Sequence, residues 1–181
     1  MPAKPAPNLV HIARLAWLVR AMCVIGWIAV WLTPLATWSQ PELAAAWARK
    51  EWGGMSLTMD VAARLGGFAA TCLPMGVSTW ALWEIWSLFG CYARGDLLSL
   101  RPARHLRRLG AALVGLSAAV PLSQTLTVLA LTLGNPPGQR QLWVGVSSAN
   151  YLSLLFGLVL LAVSTVLVEA ARVADENAEF V

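Results

Sequence analysis

The sequence contains four long apolar stretches in which charged residues are absent or almost absent. We predict that they form helices at about residues 18–39, 65–92, 109–133 and 150–173. Because about 20 helical residues cross a hydrocarbon core roughly 30 Å thick, each stretch is long enough to span a membrane. The pattern predicts an all-α, polytopic protein whose four-helix transmembrane bundle forms a single membrane domain over residues 1–181.

The composition favours a chain that is solvated largely by lipid. Of its 181 residues, 58% are hydrophobic and 12% are charged, whereas about 25% of the residues in a soluble domain are charged. The net charge of +4 is spread over several loops. A nucleic-acid-binding domain concentrates its positive charge on one face, so we expect no direct binding of nucleic acid.

The residue types that carry catalysis or bind metals are sparse. Cys23, Cys72 and Cys91 lack the spacing of a metal or redox motif. His11 and His105 lie outside the apolar stretches, so we expect no pair of intramembrane haem ligands. No nucleophile with an adjacent base is recognisable within the stretches. These features predict a non-enzymatic protein without a cofactor.

The distribution of Lys and Arg predicts an orientation, because short cytoplasmic loops carry an excess of these residues. Nine of them fall in the amino-terminal segment, the middle loop and the tail: Lys4, Arg14, Arg20, Arg94, Arg101, Arg104, Arg107, Arg108 and Arg172. Four fall in the other two loops: Arg49, Lys50, Arg64 and Arg140. Both termini and the middle loop are therefore predicted to face the cytoplasm.

The first loop has the signals of a short helix of its own. Pro41 suits the first helical position and Gly53–Gly54 is a stop. Leu43, Ala44 and Trp47 can share one apolar face, which favours a helix lying on the outer membrane surface. A solvated loop is the alternative.

The third apolar stretch combines small residues with polar ones. Ala111, Gly115 and Ala119 repeat every four residues and form a smooth stripe suited to close helix packing. A polar group follows Pro121, which removes a backbone hydrogen bond. Its members are Ser123, Gln124 and Thr127. This polar interior is either a ligand pocket or ordinary packing in which side chains satisfy the helix backbone.

Glu84 is the one acidic residue well inside an apolar stretch. A carboxylate at that depth is costly unless it is paired, hydrated or neutralised. Arg20, at the start of the antiparallel first span, lies at a similar level. We therefore predict an Arg20–Glu84 ion pair that joins the first two spans, with a proton or cation site as the alternative.

The middle loop contains a basic segment, residues 101–108. Gly95 can end the second span as a left-handed cap, and Ser99 or Leu100 then precedes a short basic helix with Pro102 near its start. The arginines of the loop are Arg94, Arg101, Arg104, Arg107 and Arg108. They are candidates for binding anionic lipid headgroups or a protein partner, unless they serve only to fix the topology.

Three short motifs carry a family resemblance. They are YARGD at residues 92–96, LRRLG at 106–110 and VLVEAARVADEN at 166–177. Together they resemble the bacterial DUF2975 family of integral membrane proteins, which is a domain of unknown function. The resemblance implies a four-helix protein of the bacterial inner membrane with no established reaction. It also implies, as a hypothesis, a membrane or cytoplasmic protein partner such as a small helix-turn-helix regulator.

Two functional hypotheses follow from these patterns. The first is an accessory, sensory or scaffolding protein that acts through its basic loop and its amphipathic tail, Arg172 to Glu179. The second is a small channel or carrier for a proton, an ion or a small molecule, which uses Glu84 and the proline-kinked polar interior.

Overall fold

The structure, a computed structural model, describes residues 7–96 and 99–179, apart from the side chains of residues 7–11, 13 and 174–179. Within these ranges the chain forms five helices and no strand. They are α1 (Pro7–Ser39), α2 (Pro41–Glu51), α3 (Val61–Ala93), α4 (Leu100–Thr132) and α5 (Ser148–Glu179). The candidate residue Lys4 and the side chains of the predicted tail beyond Val173 lie outside the described residues.

Four of these helices are long and apolar enough to cross a membrane, namely α1, α3, α4 and α5. The structure thus confirms the all-helical fold and the four predicted spans. Many large apolar side chains on these helices are exposed, for example Leu32, Leu65 and Phe156. A soluble monomer rarely exposes so much contiguous apolar surface, whereas a lipid environment solvates it.

The basic segment is helical, but it is not the short separate helix that the sequence suggested. It forms the first turns of α4, which continues without interruption from Leu100 to Thr132. Ser99 caps this start, because its Oγ accepts a hydrogen bond from the backbone N–H of Arg101 at 3.3 Å. Pro102 lies in the first turn, where a missing N–H costs little. No helix-breaking residue follows until Pro121, which itself stays inside the helix.

The end of α3 matches the predicted cap. Gly95 has φ +80°, a conformation that glycine adopts without a steric penalty. The N–H of Gly95 bonds to the carbonyl of Tyr92 at 3.0 Å, and that of Asp96 to the carbonyl of Cys91 at 3.1 Å. These bonds satisfy carbonyl groups that the end of the helix leaves free.

The described residues cluster into two compact units. Unit 1 contains the chain up to Trp27, Thr79–Val114 and the chain from Leu154 onward. Unit 2 contains Ile28–Ser78 and Gly115–Ser153. The prediction of one membrane domain stays a prediction.

The core of unit 2 is built around the predicted helix of the first loop. Ala44 and Ala48 on α2 are fully buried, and they pack in a cluster that includes Trp38 and Leu131. Trp47 packs at the edge of this cluster, with its ring centroid 5.7 Å from that of Trp38. The start of α2 at Pro41 is as predicted, and two residues of the predicted apolar face, Ala44 and Trp47, pack in this cluster, whereas Leu43 is 46% exposed. Small alanines allow a closer approach to the other helices than leucine does.

A packing contact and a pair of hydrogen bonds also stabilise unit 2. A Cβ on Gly67 would overlap the indole ring of Trp38, so only glycine fits there. Asn135 joins the segments that follow α2 and α4. Its amide donates to the carbonyl of Ser56 at 2.6 Å, and its Oδ1 accepts from the hydroxyl of Thr58 at 2.7 Å. Asn135 therefore cross-links these two segments.

Unit 1 contains a close approach of two helix backbones. A Cβ on Gly110 of α4 would lie 2.9 Å from the carbonyl oxygen of Gly157 on α5. A Cβ on Gly157 would lie 2.9 Å from the carbonyl oxygen of Gly110. The stripe of small residues predicted on α4 does not form this contact, because two of its members, Ala111 and Gly115, are exposed. The contact uses Gly110, one position earlier than the predicted stripe.

Candidate functional site

The candidate site begins at Glu84, whose side chain is buried in unit 1 with 3% relative exposure. One turn earlier on α3, the indole Nε1 of Trp80 donates a hydrogen bond to Glu84 Oε1 at 3.0 Å. The imidazole Nδ1 of His105 on α4 lies 2.6 Å from Glu84 Oε2. Arg108 adds a longer ionic contact, with Nη1 3.9 Å from Oε1.

The basic segment supplies the other side of the site. Four basic residues of this segment are spaced three, one and three positions apart, so they lie on one face of α4. They are Arg101, Arg104, His105 and Arg108. We call these four residues the basic face. They line a cavity of about 220 Å³. Since Pro102 and Ala103 are buried, the same turns that anchor α4 display its charged side chains outward.

The two remaining candidate arginines lie elsewhere. Arg107 is exposed and does not line the cavity. Arg94 is also exposed, and its Nη2 lies 3.5 Å from the sulfur of Cys91. The structure thus brings Arg101, Arg104 and Arg108 together and leaves Arg94 and Arg107 outside the cavity.

The predicted Arg20–Glu84 pair is wrong. The guanidinium carbon of Arg20 lies 4.0 Å from the ring centroid of Trp86, a cation–π contact. The carboxylate of Glu84 has Trp80, His105 and Arg108 as its described partners. Depth along a span can be inferred from sequence, whereas the rotation of a helix about its axis cannot. The rotation of α3 directs Trp86, not Glu84, toward Arg20.

Sequence reasoning missed His105 because it assigned this residue to a loop helix outside the spans. A signal was available in the spacing of Arg101, Arg104, His105 and Arg108, which is the spacing of one helical face. Reading α4 as a continuous helix would have placed His105 at the start of the third span, beside the end of the second.

The tryptophans of unit 1 form a cluster of their own. The ring of Trp27 lies 6.2 Å from that of Trp83 and 5.7 Å from that of Trp86. Trp27 also donates from Nε1 to the carbonyl of Thr79 at 3.3 Å. The cation over this aromatic group is the protein's own Arg20, which supports packing as its role.

The predicted polar interior lies in unit 2. Ser123 and Thr127 are buried, and Gln124 is half-buried. The hydroxyl of Thr127 donates to the carbonyl of Ser123 at 2.8 Å, one turn earlier in the same helix. The backbone of its own helix thus satisfies the hydroxyl of Thr127, which favours the packing interpretation.

Among the residues that the structure describes, there is no group of three or more His, Cys, Asp or Glu side chains placed to hold a metal ion. The three cysteines are free thiols. The donor set of the basic face is cationic, which suits anions.

A comparison with protein families gives a match over nearly the whole chain. The family model described as "Protein of unknown function (DUF2975)" matches residues 4–181, essentially the whole chain. Neither the comparison with curated proteins nor that with solved structures gives a match. Because the family model covers the four apolar helices and the basic segment together, the chain belongs to the DUF2975 family of proteins of unknown function.

Proposed function

We propose that this chain is a non-enzymatic accessory protein of the bacterial inner membrane, which acts as a sensory or scaffolding partner. Its working surfaces are the basic segment and the carboxy-terminal tail, both in the cytoplasm. The spans form a four-helix bundle with both termini inside, and α2 lies at the outer surface. The excess of Lys and Arg in the middle loop and at the termini supports this orientation.

One observation carries the proposal. The basic face is displayed on helical turns that continue directly into an apolar span, so a partner bound there is held rigidly at the membrane surface. The buried contact of Glu84 with His105 further ties these turns to α3. A surface fixed in this way is suited to recruiting a cytoplasmic protein, for which a small helix-turn-helix regulator is one candidate.

The alternative of a channel or carrier has less support among the described residues. Glu84 is already bonded to Trp80 and His105, and the hydroxyl of Thr127 is bonded to its own helix. A carrier site needs polar groups that are available to the substrate. We therefore propose the accessory role alone.

The test is capture of partners in a gentle detergent, with identification by mass spectrometry. We expect the wild-type chain to retain a protein in stoichiometric amounts, and the double variant Arg101→Gln, Arg104→Gln to lose it. The matched control is Arg49→Gln, Lys50→Gln on α2, which the proposal places on the other side of the membrane. The control is expected to retain the partner.

Two results would contradict the proposal. One is recovery of the wild-type protein alone. The other is equal retention of the captured protein by the double variant and the wild type. Size-exclusion profiles of all three proteins establish that the variants are folded.

A further inference from the structure

We propose that the cavity on the basic face binds the phosphate group of an anionic phospholipid headgroup. The cavity is lined by Arg101, Arg104, His105 and Arg108 and has a volume of about 220 Å³. The inference rests on the proposed function in one respect, since it places the basic segment at the cytoplasmic surface of the membrane. It names a ligand that the accessory role does not require.

The first support is the chemistry of the lining. Three guanidinium groups and one imidazole converge on the cavity, and guanidinium groups bind phosphate oxygens through paired N–H donors. In the part of the chain that the structure describes, Arg104 donates through its Nε, to the carbonyl of Leu100 at 3.3 Å. The terminal nitrogens of its guanidinium group remain as donors for a ligand.

The second support is the balance of charge. Among the side chains that the structure describes, Glu84 is the carboxylate that lies within 4.0 Å of the basic face. It is buried beneath His105, and Arg108 is the one guanidinium within 4.0 Å of it. Arg101 and Arg104 are not within ion-pair distance of a described carboxylate. Among the described side chains, three guanidinium groups at the cavity therefore face one buried carboxylate, which leaves a surplus of positive charge that an anion can neutralise.

The third support is the position of the cavity along α4. Arg108 is followed at once by Leu109, the first residue of the uncharged stretch. The cavity consequently lies at the end of a span, where phospholipid headgroups are found. Anionic lipids of the cytoplasmic leaflet attract basic residues at this level. A lipid phosphate is held there by the membrane itself, whereas free phosphate is not.

The experiment uses the purified full-length chain and native mass spectrometry after release from micelles that contain phosphatidylglycerol and phosphatidylethanolamine. The cavity variant is Arg101→Gln, Arg104→Gln. The matched control is Arg94→Gln, Arg107→Gln, which removes the same charge from arginines outside the cavity. A third variant, Arg101→Lys, Arg104→Lys, keeps the charge but removes the paired N–H donors.

The wild type is expected to retain phosphatidylglycerol in preference to phosphatidylethanolamine. We expect the cavity variant to bind phosphatidylglycerol about tenfold more weakly, because two of the basic residues at the anionic surface are lost. The matched control should bind phosphatidylglycerol like the wild type. The lysine variant should bind it with intermediate affinity, and this retained binding would show that substitution at Arg101 and Arg104 leaves the protein folded.

Equal weakening in the cavity variant and the matched control would overturn the proposal, because binding would then follow net charge alone. Displacement of the lipid by millimolar inorganic phosphate would assign the site to free phosphate and overturn the lipid assignment. The lipid assay contains no protein partner. A failure of the lipid proposal in this assay is therefore distinguishable from a failure of the accessory role in the capture experiment.

Discussion

Replacement of Gly110 by alanine is expected to lower the free energy of unfolding by about 2 kcal/mol, as an overpacked contact does. The added Cβ would lie 2.9 Å from the carbonyl oxygen of Gly157 and 3.0 Å from the backbone nitrogen of Leu161. Backbone atoms cannot move aside as the end of a flexible side chain can, so α4 and α5 must separate. Titration with SDS in mixed micelles, followed by tryptophan fluorescence, measures the change.

Gly115 provides the matched control on the same helix. A Cβ there meets the side chain of Val77 at 3.7 Å, an ordinary van der Waals distance. We expect Gly115→Ala to leave the free energy of unfolding unchanged or slightly raised, since alanine favours a helix more than glycine does. Equal losses in the two variants would contradict the close helix contact at Gly110.

The second large effect is expected from Glu84→Ala. This change removes the acceptor of the Trp80 indole and the partner of His105. When one partner of a buried pair is removed, the remaining polar groups stay buried without a hydrogen-bond partner. We therefore expect a loss of about 3 kcal/mol in the free energy of unfolding. The same SDS titration measures it.

Glu169→Ala is the control for this variant. Glu169 pairs with Arg172 on α5, but the side chains are 61% and 56% exposed. Water replaces an exposed partner at little cost, so we expect no measurable change in stability. A loss for Glu84→Ala as small as that for Glu169→Ala would show that the buried pair does not stabilise unit 1.

Much of the fold was predictable, because its determinants are local. The uncharged stretches gave the spans, since a long apolar helix needs no other information to be recognised. Pro41 gave the start of α2, and the need for a left-handed residue at Gly95 gave the end of α3. Each of these signals acts within a few residues of the feature that it specifies.

The contacts between helices were harder to predict. Ala111, Gly115 and Ala119 fit a packing stripe as well as Gly110 does, and the choice depends on how α4 is rotated against α5. Asn135 is another example, because nothing in the neighbouring sequence reveals that its side chain reaches Ser56 and Thr58. These bonds join residues that are distant along the chain.

The candidate site combines both kinds of information. Glu84 could be singled out from sequence, because a carboxylate in an apolar stretch needs a partner. The identity of that partner could not, since the sequence pattern placed Arg20 near the depth of Glu84 and His105 in a separate loop helix. The continuity of α4 decides the matter by bringing His105 and Arg108 to the end of α3. The same continuity gathers the arginines of the basic face around one cavity.

Glu84 ties the basic face of α4 to α3 through its buried contact with His105. A double-mutant cycle on the free energy of unfolding tests it most directly, with Glu84→Ala, His105→Ala and the double variant, and a parallel cycle of Arg20→Ala with Glu84→Ala. We predict a coupling energy of about 1.5 kcal/mol or more between Glu84 and His105, and additivity within about 0.5 kcal/mol for Arg20 and Glu84. Additive effects at Glu84 and His105, together with strong coupling between Arg20 and Glu84, would contradict the account.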